Sequence, residues 1–174
     1  MWMTNVEDVT LQNIITQFNH LGLLVVGADS LTDTDGLYAD NNQAGMQLHN
    51  IAGTLAVAGT TLRDNGTYGL WLTDQEDVDL THLTVTGNDI GVFAESFIHD
   101  LNLTNSFVNG NRIGIQFGEL LTNFGYTVFD NDLSGNTEFA IDNNDTIAFG
   151  DTAPIDAAGK PPTVSSRVSL SAEA

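Results

Sequence analysis

Apolar residues along this chain fall in pairs with one position between them, and the pairs recur at a steady interval. The stretch VDLTHLTVTGNDIGVFA, residues 78–94, carries Val78/Leu80, Leu83/Val85 and Val92/Ala94. Twenty-three residues later, LNLTNSFVNGNRIGIQF repeats the shape with Leu101/Leu103, Ser106/Val108 and Ile115/Phe117. A spacing of two is the period of a strand with one buried face. Each repeat therefore encodes three short strands. The helical period of about 3.6 residues does not appear in residues 9–143.

Carried along the chain, the first pair reads Val9/Leu11, Thr32/Thr34, Leu55/Val57, Val78/Leu80, Leu101/Leu103 and Tyr126/Val128. The second includes Ile14/Thr16, Leu37/Ala39 and Thr60/Leu62, and the third Leu23/Val25, Met46/Leu48 and Leu70/Leu72. Coils start near 9, 32, 55, 78, 101 and 126, which predicts an all-β solenoid of about six coils over residues 1–149, with three short parallel sheets. By the same count Trp2 joins the inward column of Val25 and Leu48, so the chain is expected to begin in mid-coil. Residues 150–174 break the period and read as an irregular tail or loose cap, with Val164–Leu170 as one last strand.

One polar column is as regular as the apolar ones. Asn19, Asn42, Asn65, Asn88 and Asn111 stand 23 apart, and Asn136 follows after 25. An Asn side chain satisfies turn amides and bonds its counterpart in the next coil. A glycine follows each of the first five: Gly22, Gly45, Gly69, Gly91 and Gly114. These residues are read as a structural asparagine ladder, since a catalytic Asn has no need to occur six times.

The consensus V-x-L-x-x-L-x-V-x-x-N-x-x-G-[VI] over residues 9–143 resembles the right-handed parallel β-helix repeat (PbH1) of the pectin-lyase-like superfamily. That resemblance implies an extracellular, periplasmic or cell-surface protein that binds or acts on polysaccharide. The same fold hosts many activities, so it selects no single one.

Charge narrows the partners. Four Lys and Arg face 23 Asp and Glu, a formal net charge of −19. Such a surface repels nucleic acid and anionic membrane. No apolar run is long enough to span a bilayer, and the first residues carry no signal-peptide pattern. There is no cysteine, which excludes disulfides and thiolate metal sites. An open first coil, with Val9, Leu11, Ile14 and Leu23 at its edge, is expected to invite end-to-end or lateral self-association once salt screens the charge.

The chemistry is sparse. Asp33, Asp35 and Asp79 are the candidate catalytic residues, read as outward carboxylates with Asp29 nearby; Asp33 and Asp35 lie about 7 Å apart by the strand rise. That suits an inverting hydrolase or, with Ca²⁺, a lyase, but no Arg or His shares their column. No cofactor is expected beyond such a Ca²⁺. The four histidines fall in four different columns. Trp71 and Phe93 share an outward column on adjacent coils, and Tyr38 is placed outward on the second strand; these are the candidate binding residues. An exposed aromatic pair serves as a sugar platform, a protein contact or a seat for another part of the chain. The expected function is a rigid, non-catalytic scaffold or recognition module that takes polysaccharide. The alternative is part of a polysaccharide-active lyase, hydrolase or epimerase.

Overall fold

The computed structural model describes the backbone of residues 1–143 and 164–166, and the side chains of residues 1–118 and 126–142. Every regular element among them is a strand: β1 Trp2–Gln12, β2 Ile15–Gln17, β3 Leu21–Thr34, β4 Leu37–Ala39, β5 Ala44–Ala58, β6 Thr61–Arg63, β7 Tyr68–Thr81, β8 Thr84–Thr86, β9 Ile90–Thr104, β10 Phe107–Asn109, β11 Ile113–Phe129, β12 Phe139–Asn143 and β13 Val164–Ser166. The long odd-numbered strands up to β11, then β12 and β13, form one eight-stranded sheet, and β2, β4, β6, β8 and β10 form a five-stranded one. All pairings are parallel. The chain is a parallel β-helix. The third strand of one coil runs straight into the first strand of the next, so three faces arise from two hydrogen-bonded sheets. The proposed tail is represented only by β13, and the remainder of it lies outside the described residues.

Corners explain much of the composition. One column of left-handed residues runs Asn13, Asp35, Gly59, His82, Asn105 and Asp130, with φ between 51° and 64°. A second runs Phe18, Asp40, Asp64, Gly87, Gly110 and Gly135, and a third includes Asn5, Gly27, Asn50 and Asp74. Asn, Asp and Gly tolerate this region best. Part of the acidity is thus a demand of the turns.

The core is a stack of columns. Val9, Leu31, Leu55, Val78 and Leu101 lie in register, as do Leu23, Met46, Leu70, Val92, Ile115 and Ile141, and all are buried. Each fully buried Leu, Ile or Val contributes roughly 1.5–3 kcal/mol relative to exposure.

The second coil departs from the expected count. It follows the first after 22 residues, Val9 pairing with Leu31, and the third follows after 24, Leu31 pairing with Leu55. A one-residue slip exchanges the two faces of a strand. The inward pair is therefore Leu31/Asp33, and not Thr32/Thr34. Tyr38 pairs with Leu62 and points inward, where Leu37 was expected. Asn41, and not Asn42, occupies the corner. At the start, Trp2 pairs with Leu24 and is 75% exposed, so Met3 and not Trp2 continues the Val25 column.

The slip buries a carboxylate. Asp33 is fully buried, with Oδ1 accepting the Tyr38 hydroxyl at 2.7 Å and Oδ2 the Thr60 hydroxyl at 2.6 Å. Burial raises its pKa, and the two hydroxyl donors only partly oppose this.

At the main corner the amides bond coil to coil. Asn65 Nδ2 donates to Asn88 Oδ1 and Asn88 Nδ2 to Asn111 Oδ1, both at 3.1 Å; Asn41 and Asn136 extend the column at either end. The same Oδ1 atoms accept the backbone N–H of the preceding Asn at 3.0 Å. Asn19 lies at the open end; its backbone N–H donates to Asn41 Oδ1, while its own amide is exposed. Gly91 belongs to this corner: a Cβ there would lie 2.5 Å from the Gly114 carbonyl oxygen and 3.0 Å from Asn111 Nδ2.

Asn88→Ala is expected to lower stability by about 1–3 kcal/mol, because it strands buried donors and acceptors. Asp89→Ala removes a half-exposed pair with Arg112 at 2.6 Å and is expected to cost under about 1 kcal/mol. Urea unfolding of the two variants checks the contrast. Equal losses would overturn the assignment of Asn88 to the corner column. A second expectation concerns pH. An acid whose folded pKa is raised stabilises the fold below its unfolded value, and that contribution is lost as pH rises through the folded pKa. The wild type should lose stability relative to Asp33→Asn as pH climbs from about 4, the unfolded Asp value. Parallel stability–pH curves would show that Asp33 is not buried.

Candidate functional site

The most elaborated outer surface lies on the third-strand face. Strand alternation turns Leu24, Gln47, Trp71, Phe93 and Gln116 outward in register on successive coils. Tyr68, just before the close-packed Gly69, folds over the same face. Its ring stacks on Phe93 at 5.2 Å and 11° and meets Trp71 at 4.8 Å. Trp71 and Phe93 lie 6.1 Å apart, and His49 packs edge-on to Trp71 at 5.7 Å. All four rings are half-buried, so each keeps part of its surface in water.

Polar groups rim the rings. Trp71 Nε1 donates to Glu95 Oε1 at 2.9 Å, which fixes the indole. His49, Thr73 and Glu95 share the next outward column, and His49 Nδ1 hydrogen-bonds the Thr73 hydroxyl. Burial lowers the His49 pKa, against the pull of Asp74 and Glu95, which favours a neutral imidazole. Burial likewise raises the Tyr68 phenol, with Glu95 and Asp89 adding to it. Gln47 and Gln116 flank the aromatic pair along the column. The arrangement is flat and apolar at the centre, with donors and acceptors at its edge.

The other sequence candidates disperse. Tyr38 is fully buried and is not a surface binding residue. Asp33, expected outward, is buried with both oxygens engaged by hydroxyls, which leaves it nothing to offer a substrate or Ca²⁺. Asp35 is exposed at a left-handed corner. Asp79, two coils further along the axis, accepts from Asn102 Nδ2 at 3.0 Å. No acid–base pair results. Sequence reading missed Tyr68 because it sits beside the glycine, outside the alternating column, and reaches the face by its ring.

A second cluster also went unread. Asp77, His99 and Asp100 bring a nitrogen and two carboxylate oxygens within 4.8 Å of one another, the only such group of three among the described residues. Asp77 and Asp100 stand 23 apart, each just before the inward Val78 and Leu101 that pair across β7 and β9. That spacing was visible in the sequence, with His99 next in line. Two shallow grooves, one lined by Asn5, Gly27, Asp29 and Asn50 and one by His82, Phe107 and Asp130, lie at corners and gather no comparable set.

The family model described as "Periplasmic copper-binding protein (NosD)" matches residues 1–156 of the chain. No curated protein and no solved structure gives a significant match.

Proposed function

The chain belongs to the NosD family, and from that premise we propose that it is a non-catalytic β-helix module of the periplasm or cell surface that recognises carbohydrate. The observation that carries this reading is the Tyr68–Trp71–Phe93 surface. Its rings are held by stacking and by the Trp71–Glu95 hydrogen bond, ready to receive the apolar face of a sugar. Glu95, Gln47 and Gln116 carry the acceptors and donors that hydroxyl groups need. The net charge of −19 favours neutral glycans over uronates. The scaffold supports such a role, because each outward residue rests on a closed, cross-bonded coil.

The family description names copper, and the chain's donors limit how copper is held. There is no cysteine to offer Cu(I) a thiolate, and of the three methionines Met46 is fully buried, Met3 packs against the core and Met1 is exposed at the first residue, apart from every histidine-containing cluster. His49 is committed to Thr73 and Trp71, and His82 to Thr81. The nitrogen and oxygen donors of Asp77, His99 and Asp100 do fit Cu(II), which favours such mixed sets. These are the residues that would hold it. Bound there, the ion would supply a positive centre at the surface.

Trp71 reports on the proposed sugar site directly. In a Trp2→Phe background, which removes the other tryptophan, Trp71 fluorescence should shift on titration with neutral oligosaccharides. In binding measured by calorimetry, Trp71→Ala should weaken affinity by about fivefold to a hundredfold, the range that the roughly 1–3 kcal/mol of a nucleic-acid base stacked on an aromatic side chain would give. Glu95→Gln should weaken it less. A glycan that binds the wild type and Trp71→Ala equally would refute this use of the face.

A further inference from the structure

We propose that Asp77, His99 and Asp100 form a surface Cu(II) site with a single imidazole ligand, built across the fourth and fifth coils. The proposal rests on the family reading for the identity of the metal and on geometry for the place. Parallel pairing of Val78 with Leu101 sets the residues just before them side by side. Carboxylates one coil apart are thereby held at about the 4.8 Å strand spacing. That separation is costly for two like charges and suitable for two ligands of one ion. In the third coil the same position is Thr54, so the acidic pair is local to this place and not a general feature of the corner.

The imidazole is already oriented. His99 Nδ1 lies 3.2 Å from Asp100 Oδ2, and its ring stacks on Phe97 at 6.3 Å and 12°. Ligand rings held by neighbours in this way lose little freedom on binding a metal.

Among the described residues, no arginine pairs with these carboxylates. Arg112 bridges Asp89 and Glu138, and Arg63 pairs with Asp64, which commits both described arginines elsewhere. Asp77 and Asp100 are exposed and His99 is half-buried, so an ion has open access and keeps positions for water or a partner's donors. Among divalent first-row ions Cu²⁺ binds such nitrogen and oxygen sets most tightly.

Electron paramagnetic resonance of the full chain loaded with one equivalent of Cu²⁺ tests the assignment. The expected spectrum is a tetragonal Cu(II) signal with pulsed modulation from one imidazole. His99→Ala should abolish that modulation and weaken calorimetric Cu²⁺ binding at least tenfold. Asp77→Asn and Asp100→Asn should each weaken it several-fold while the imidazole signal stays. His20→Ala, His49→Ala and His82→Ala should change neither, and an unchanged melting temperature for His99→Ala shows that the fold is intact. Imidazole modulation that survives His99→Ala would move the copper elsewhere and overturn the site, yet leave the family's copper reading standing. A wild type that binds no Cu²⁺ would overturn both. Neither result bears on the carbohydrate face, which Trp71→Ala tests separately.

Discussion

The structure depends on how closely successive coils approach at one corner. There the side-chain amides of Asn41, Asn65, Asn88, Asn111 and Asn136 bond in series along the axis, and each carbonyl oxygen between them also takes a backbone N–H. A turn buried inside a solenoid has polar backbone groups with no water to meet them. The amide column answers that need with the chain's own side chains. Glycine beside it is the steric counterpart: at Gly69 a Cβ would lie 2.6 Å from the next coil's carbonyl oxygen and 3.0 Å from Asn88 Nδ2. Amide bonding and the bare backbone are two sides of one close contact.

Once the corner fixes each coil over the last, every position is assigned to the core or the surface. Inward columns are held to apolar types by packing. Outward columns are free to vary, and there the molecule carries its polar and aromatic groups: rings at Tyr68, Trp71 and Phe93, and, further along the same strands β7 and β9, the donor atoms of Asp77, His99 and Asp100. The proposed recognition role draws on these outer residues, which the closed coils hold in place. The acid excess has two origins. Some carboxylates occupy left-handed corners, as at Asp35, Asp40, Asp64 and Asp130, and others line the surface.

Most of this architecture was legible because the period repeats. Val78, Leu80, Val85, Val92 and their counterparts one coil later fall where the two-residue alternation puts them. The second coil was misread for a physical reason. A coil of 22 residues followed by one of 24 preserves the average, so the count looked undisturbed while every side chain between changed face. The clue was Thr32/Thr34, a polar pair in an apolar column. It signalled a shifted register, with Leu31, Asp33 and Tyr38 turned inward. A buried Asp is not expected from composition; here Tyr38 and Thr60 make it tolerable. Trp71 and Phe93 were found because they share a column, whereas Tyr68 was not, because ring stacking reaches beyond the column. The Asp77–His99–Asp100 group escaped a search by columns, since it combines two positions in neighbouring coils with a sequence neighbour.

Backbone hydrogen exchange at the corner tests the central claim most directly. The N–H groups of Asn65, Asn88 and Asn111 donate to the Oδ1 of the next coil's Asn at 3.0 Å and are buried. If these bonds hold the coils in register, the three amides should exchange only through cooperative unfolding, as slowly as amides of the neighbouring core strands. Exchange at the rate of solvated turn amides, with the strands still protected, would show that the coils are held by apolar packing alone and would contradict the account.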